Sequence, residues 1–233
     1  MKKENGKFIS AYEGKDNKCT INNLEDDTNY EIRICSKFND VKGNYSQIYK
    51  IKTDLDSIIL NKLEKREEYI NKILEWTGYK SMKLLYRGTR DGMTSNDFHN
   101  KCDNKGNTIC LFLNDKGNIF GGYSSIPWTS DGGDKIANDC FLFTLTNIYN
   151  TEPTKFPYVN GRSVYLGSDS GPRFGQGSDL GFGTNFIVNN NCWSYFPNTY
   201  KDIIGKGKSI FIGHNKDEYF ILKELEVFEL FKW

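Results

Sequence analysis

In Tyr30-Glu31-Ile32-Arg33-Ile34 apolar positions alternate with polar ones, the two-residue period of a strand with one buried face. Residues 7–13, 18–21, 30–38 and 47–52 read as strands separated by Asn, Asp and Gly clusters. Together they amount to half of a β-sandwich. From Ser57 to Gly78 the period changes. Ile70, Ile73 and Leu74 fall three and four apart, with charged residues filling Glu64 to Glu68, which predicts a helix that Gly78 stops. A shorter helix is predicted to start near Thr94, because Thr94 with Asp97 fits a capping box and Phe98 and Cys102 then share a face. It should end by Asn104-Lys105-Gly106. Beyond Asn107 the strand pattern returns. Residues 108–113 and 118–124 flank Asn114-Asp115-Lys116-Gly117 and should pair as a hairpin, and 141–145, 163–166, 209–212 and 220–230 continue the series. This order predicts a mainly β chain with some α (α+β), built as a two-sheet, mainly antiparallel sandwich flanked by helices.

Length and composition narrow the classes. The 233 residues suit one large domain or a medium domain with an appendage, and 37% hydrophobic with 15% aromatic content describes a chain that folds. Lys plus Arg number 31 against 30 for Asp plus Glu, so the net charge of +1 gives no field to gather polyanions, and nucleic acid is not an expected partner. No stretch of about 18 apolar residues occurs, and the start Met1-Lys2-Lys3 leads into Glu4-Asn5-Gly6-Lys7 without an apolar core, so neither a membrane span nor a signal peptide is expected. Six cysteines without CxxC pairing suggest free thiols in a reducing cytoplasm.

The stretch from Leu24 to Ile34, ending at Ile51-Lys52-Thr53, resembles the second half of a fibronectin type III domain, with Leu24 and Tyr30 at the spacing of the tyrosine corner. The first strands of that module are not recognisable. Residues 1–53 therefore read as a partial module, expected to be less stable than the rest. From Lys83 the chain resembles another family. Lys83-Leu84-Leu85-Tyr86-Arg87-Gly88-Thr89-Arg90-Asp91-Gly92, followed by Phe98 and Asp103, looks like the opening of a TLDc domain, the module shared by oxidation-resistance proteins. Four further blocks fall in the family's order: Phe120-Gly121-Gly122-Tyr123-Ser124 with Trp128, Cys140 to Leu145, Gly171 to Leu180, and Leu225-Glu226-Val227-Phe228. Pro127 departs from the family's pattern and disfavours ladder pairing at that point. The domain should cover 54–233. The resemblance implies a non-enzymatic module without cofactor or metal that binds proteins, notably subunits of the vacuolar-type proton ATPase, and so acts in oxidative-stress resistance from the cytoplasm, recruited to vacuolar or endosomal membranes through its partner. Gly121, Gly122, Gly175 and Gly177 are read as structural signature residues, with Trp128 and the neighbouring Phe and Tyr rings filling the core.

Glu224, Glu226 and Glu229 alternate along the last strand and are expected to share a face, which with Arg87 and Asp91 forms a candidate polar surface for a protein partner. Gly175 to Gly181 is spaced wrongly for a dinucleotide loop and reads as a turn; Gly207-Lys208-Ser209 imitates the end of a phosphate loop, but Asp202 stands where glycine is required and the next segment reads as a strand. His99, Cys102 and Cys110 offer three metal ligands with no fourth at family spacing, and His214 reads as a solvated loop residue. The alternative function is a thiol-based antioxidant enzyme acting on peroxide. It needs an accessible thiolate, for which Cys192, expected in an exposed loop, is the best placed.

Overall fold

A computed structural model describes every residue except Glu4, Asn5, Asn17, Asn23, Glu25, Asp26, Asp27, Asn189 and Trp233. The acidic part of the fibronectin-like stretch and the last residue of the expected 54–233 span thus lie outside the described residues. The chain divides into two compact units, Met1–Asp56 and Ser57–Trp233.

In the first unit β1 (Lys2–Lys3), β2 (Asn29–Ile32) and β5 (Tyr49–Lys52) form a three-stranded antiparallel sheet in the order β1-β2-β5. A separate hairpin joins β3 (Cys35–Phe38) to β4 (Val41–Tyr45). Its turn residues Asn39 and Asp40 both have positive φ, as a two-residue hairpin turn requires. The strands expected at 7–13 and 18–21 do not form among the described residues. Tyr30 is buried, but Ile34, Phe38 and Val41 are 69%, 79% and 71% exposed, so alternation along the chain did not lead to burial. With so little apolar area removed from water, the hairpin should open early. In hydrogen exchange, amides of Cys35–Phe38 are expected to exchange well before those of Phe141–Thr146; equally slow exchange in both would refute a weak first unit.

The second unit is organised around one sheet. After a 3-10 turn at Leu60–Lys62 come α1 (Arg66–Thr77), β6 (Ser81–Arg87), α2 (Gly88–Asp91), α3 (Ser95–Cys102), β7 (Thr108–Asn114), β8 (Ile119–Ser124), β9 (Asp131–Lys135), β10 (Phe141–Thr146) and β11 (Thr154–Pro157). They are followed by β12 (Val164–Gly167), β13 (Arg173–Phe174), β14 (Gly181–Phe182), β15 (Cys192–Trp193), α4 (Ser209–Ile212) and β16 (Leu222–Phe231). Six strands pair antiparallel in the order β11-β10-β8-β7-β16-β6, so the last strand lies between the first and the hairpin β7–β8. The fold is mainly β with α, as expected.

Both faces of this sheet are covered, which explains the unbroken apolar run Ile109–Phe112 in β7. On one face lies α1. Its Trp76 ring sits 6.3 Å from Phe141 and 5.8 Å from Phe143, and Ile70 and Ile73 are buried beside them. Gly78, at φ 72°, ends the helix with its N–H donating to the Leu74 carbonyl. The other face carries Cys110, Phe112, Phe120, Leu225 and Val227, which pack with Trp128, Phe174, Phe182, Phe211 and Phe220 from a second layer of short sheets and turns. Phe120, Trp128, Phe141, Phe143 and Val227 are buried in the core, whereas Leu85 is only partly so.

Of two local expectations, one forms as read and the other does not. The predicted N-terminus of α3 is a complete capping box: Thr94 Oγ1 accepts from the Asp97 N–H and Asp97 accepts from the Thr94 N–H. Residues 209–212, by contrast, were expected as a strand and form the helical turn α4, closed by Gly213 at φ 84°. All four side chains are buried, so a short apolar run carried no period to separate strand from helix.

Candidate functional site

The residues expected to form a polar surface gather at one end of the sheet, but mostly inside it. Glu226, on the central strand β16, is fully buried, and its ladder partner across β6 is Arg87. Arg87 Nε donates to Glu226 Oε1 at 2.8 Å, Ser57 Oγ donates to Oε2 at 2.6 Å, and the Ile58 N–H donates to Oε1 at 2.9 Å. The carboxylate thus ties the segment before α1 to the last strand. Burial pushes the Glu226 carboxyl up, and the hydrogen bonds from Ser57, Ile58 and Arg87 oppose that shift. Glu224, two residues earlier, is also buried; it accepts from the Thr89 N–H at 3.2 Å and from the Thr89 hydroxyl. Burial therefore removes Arg87, Glu224 and Glu226 from the expected surface. They are internal struts. Glu229 is half-buried and takes the Gly106 N–H at 3.3 Å. Being three residues from Glu226, it does not share the face expected for all three, because the strand period is two.

Asp91, in α2, is half-buried and borders the surface. It accepts from the Arg87 N–H at 3.0 Å and from Arg90 Nη2 at 2.7 Å, and Lys101 Nζ stands 3.7 Å away. The Arg90 hydrogen bond, against burial, holds the Asp91 carboxyl below the usual range, with Arg87, Lys101 and the Arg90 charge assisting. Arg90 and Lys101 are exposed, so this rim joins the buried cluster to solvent.

Two of the signature glycines, Gly121 and Gly122, are seats for aromatic rings. A Cβ on Gly121 would lie 2.0 Å from the Cys110 carbonyl oxygen and 2.5 Å from Phe143, and one on Gly122 would lie 2.6 Å from the Phe174 ring. Adjacent strand residues point to opposite faces, so the pair admits one ring on each side of β8. Trp128 is buried, donating its Nε1–H to Thr108 Oγ1 at 2.9 Å. Gly175 and Gly177 have φ of 86° and 76° in the turn after β13. That turn surrounds Asp179, which is fully buried and accepts the main-chain N–H groups of Asn198 at 2.6 Å and Thr199 at 3.0 Å. Burial raises its carboxyl to about 6, against the pull of these donors and of Tyr200.

A raised carboxyl in the folded state makes folding favour the protonated form. Its contribution is fully present below the ordinary carboxyl value and is lost as pH rises through about 6. Relative to Asp179→Asn, which does not titrate, the parent should lose roughly 2 kcal/mol of stability between about pH 4 and 7. Urea unfolding at both pH values measures this; a difference that does not change with pH would contradict it.

The other candidate chemistry is largely sequestered. Cys192 lies in β15 rather than in an exposed loop, is buried, and donates from Sγ to the Phe186 carbonyl at 3.3 Å; burial pushes the thiol up to about 12. Cys102, Cys110 and Cys140 are buried too, with thiols raised chiefly by burial, while Cys19 is exposed and Cys35 half-buried. Asp202 fills the loop before α4 with its own carboxylate, which accepts the Ile204, Gly205 and Gly207 N–H groups at 2.9, 2.8 and 2.6 Å, the donors a phosphate would need. His99 has both ring nitrogens engaged, by Asp103 and by carbonyls of the 167–170 turn. His214, expected as solvated, is half-buried, and its Nδ1 has no partner among the described residues. It borders a cavity of about 460 Å³ lined by Phe186, Phe220 and Ile221 among others. Among the described residues no helix is long and apolar enough to cross a membrane.

A six-stranded antiparallel sheet with α1 on one face, ring-seating glycines in β8 and a buried Arg–Glu pair between its first and last strands defines an α+β domain of strongly β character. A family model described as the TLDc domain matches residues 54–231, and the chain belongs to that family. The comparison with curated proteins returned no match.

Proposed function

We propose that this chain acts as a non-enzymatic protein-binding module in oxidative-stress resistance, regulating the vacuolar-type proton ATPase from the cytoplasm. The observation that carries the reading is the TLDc match over 54–231, which places the chain in an oxidation-resistance-type family. The interior supports it. Glu224, Glu226 and Arg87 are spent on internal bonds, and the four cysteines of the second unit sit where burial favours the unreactive thiol. The exposed Arg90 and Lys101, gathered around half-buried Asp91, are the polar surface offered to a partner.

Purified chain added to purified vacuolar-type ATPase tests the proposal. Binding, with a change in ATP hydrolysis or proton pumping, is expected, and charge reversal at Arg90 with Lys101 should weaken it without unfolding the domain. A folded chain that neither binds nor alters the pump would end this reading. The thiol alternative has its own measurement: replacement of each cysteine by Ser should leave peroxide protection intact wherever the fold survives, and its loss in folded Cys192→Ser would reverse the assignment.

A further inference from the structure

His99 stands in the last turn of α3 and is buried. Its Nδ1 lies 2.6 Å from Asp103 Oδ1, and its Nε2 lies 3.1 Å from the Gly167 carbonyl and 3.0 Å from the Ser170 carbonyl. Carbonyls only accept, and an ionised carboxylate only accepts. A neutral imidazole carries one N–H, so one nitrogen would point its lone pair at a carboxylate or at two carbonyls. The doubly protonated ring satisfies all three partners, and the C-terminal end of a helix adds to the preference for a cation.

We propose that His99 is a proton-dependent latch: its ring, carrying both N–H protons, pins the Gly167–Ser170 turn to α3. Beyond the pairing of Gly167 with Asp131 of β9 and the Ser170 hydroxyl bond to the Gly167 carbonyl at 3.5 Å, the turn has few bonds among the described residues. Ser170 N–H donates to the Gly167 carbonyl at 3.3 Å, Gly171 N–H to the Phe182 carbonyl at 3.0 Å, and Thr184 Oγ1 to the Asp169 carbonyl at 3.1 Å. Phe98, beside the ring at 4.9 Å, supplies no charge.

The charged groups around the ring are few. From the end of α3 comes Asp103, whose second oxygen accepts the Ser130 hydroxyl at 2.6 Å; Cys102 is kept as a thiol by burial. Lys101 pairs with Asp91 instead. From the turn comes Asp169, whose carboxylate takes the Tyr165 hydroxyl at 3.0 Å. Asp103 is thus the counter-charge. Protonation of the ring favours the closed turn, so closure is complete at low pH and is lost as pH rises through the ring's titration. The outer side of the turn, Ser168 and Asp169, is exposed, so order at this surface follows proton concentration.

The chain has two histidines, so comparison with His214→Gln assigns the ring signals even if His99→Gln does not fold. Ring nitrogen NMR of the full chain should show two N–H groups on His99 while the turn is closed, and loss of one as pH rises. In step with that loss, the protection of the Ser170 and Gly171 amides, taken relative to the base-catalysed intrinsic rate at each pH, should fall about ten- to hundredfold, the range set by a charged hydrogen bond. Asn198 and Thr199 amides report Asp179 separately. In Asp103→Asn the second proton should leave at lower pH than in the parent. A folded parent whose His99 keeps a single N–H throughout, or whose Ser170 and Gly171 exchange ignores the ring's titration, overturns the latch.

Discussion

Replacing Arg87 by Ala is expected to destabilise the second unit by about 3–5 kcal/mol, the usual result of removing one partner of a buried ion pair. Glu226 is fully buried and would keep Ser57 and Ile58 as donors but lose its cation. An uncompensated carboxylate in that position either remains charged at high cost or takes up a proton. The sign with pH follows. Burial already raises the Glu226 carboxyl, and removal of Arg87 raises it further, so the variant should lose most at neutral pH and least near pH 4, where both folded and unfolded carboxyls are largely protonated. Adding Glu226→Gln to the variant should recover part of the loss, since an amide needs no counter-charge. Urea unfolding of the single and double variants at two pH values provides the measurement, and a loss under about 1 kcal/mol for Arg87→Ala would mean that the pair is not a strut.

Replacing Phe143 by Ala should cost a similar about 3–5 kcal/mol, for a different reason. The ring is fully buried between β10 and α1, 5.8 Å from Trp76 and 6.2 Å from Phe141, directly above Gly121. Its removal leaves a cavity that neighbours fill only partly, and α1 should lose protection from hydrogen exchange along Ile70 to Thr77. Refilling the space from below with Gly121→Ala should not rescue the variant. The added methyl would still lie 2.0 Å from the Cys110 carbonyl, which is backbone and cannot move aside as a ring can. Thermal or denaturant unfolding decides both points, and a loss below about 1 kcal/mol would remove Phe143 from the core.

What the amino-acid order determined by itself was local or strongly patterned. The capping box Thr94–Asp97, the stop at Gly78 and the hairpin turn after Asn114 each need only a few neighbouring residues, and each forms as read. The five blocks from Lys83 to Phe228 likewise identified the TLDc family, because their order along the chain survives without knowledge of their packing. The site depended on burial, which one-dimensional pattern does not carry. Glu224 and Glu226 look like an exposed polar face until β16 is placed between β7 and β6 in a sheet covered on both sides. Cys192 looks exposed between Asn191 and Trp193 until β15 pairs with β14. The first unit errs in the opposite direction: Ile34 continues the alternation of Tyr30 and Ile32 but remains exposed. Whether a side chain meets water is set by elements far away in the chain, and so only the tertiary structure decided that the conspicuous acids of the last strand are internal supports and that Asp91, Arg90 and Lys101 form the rim.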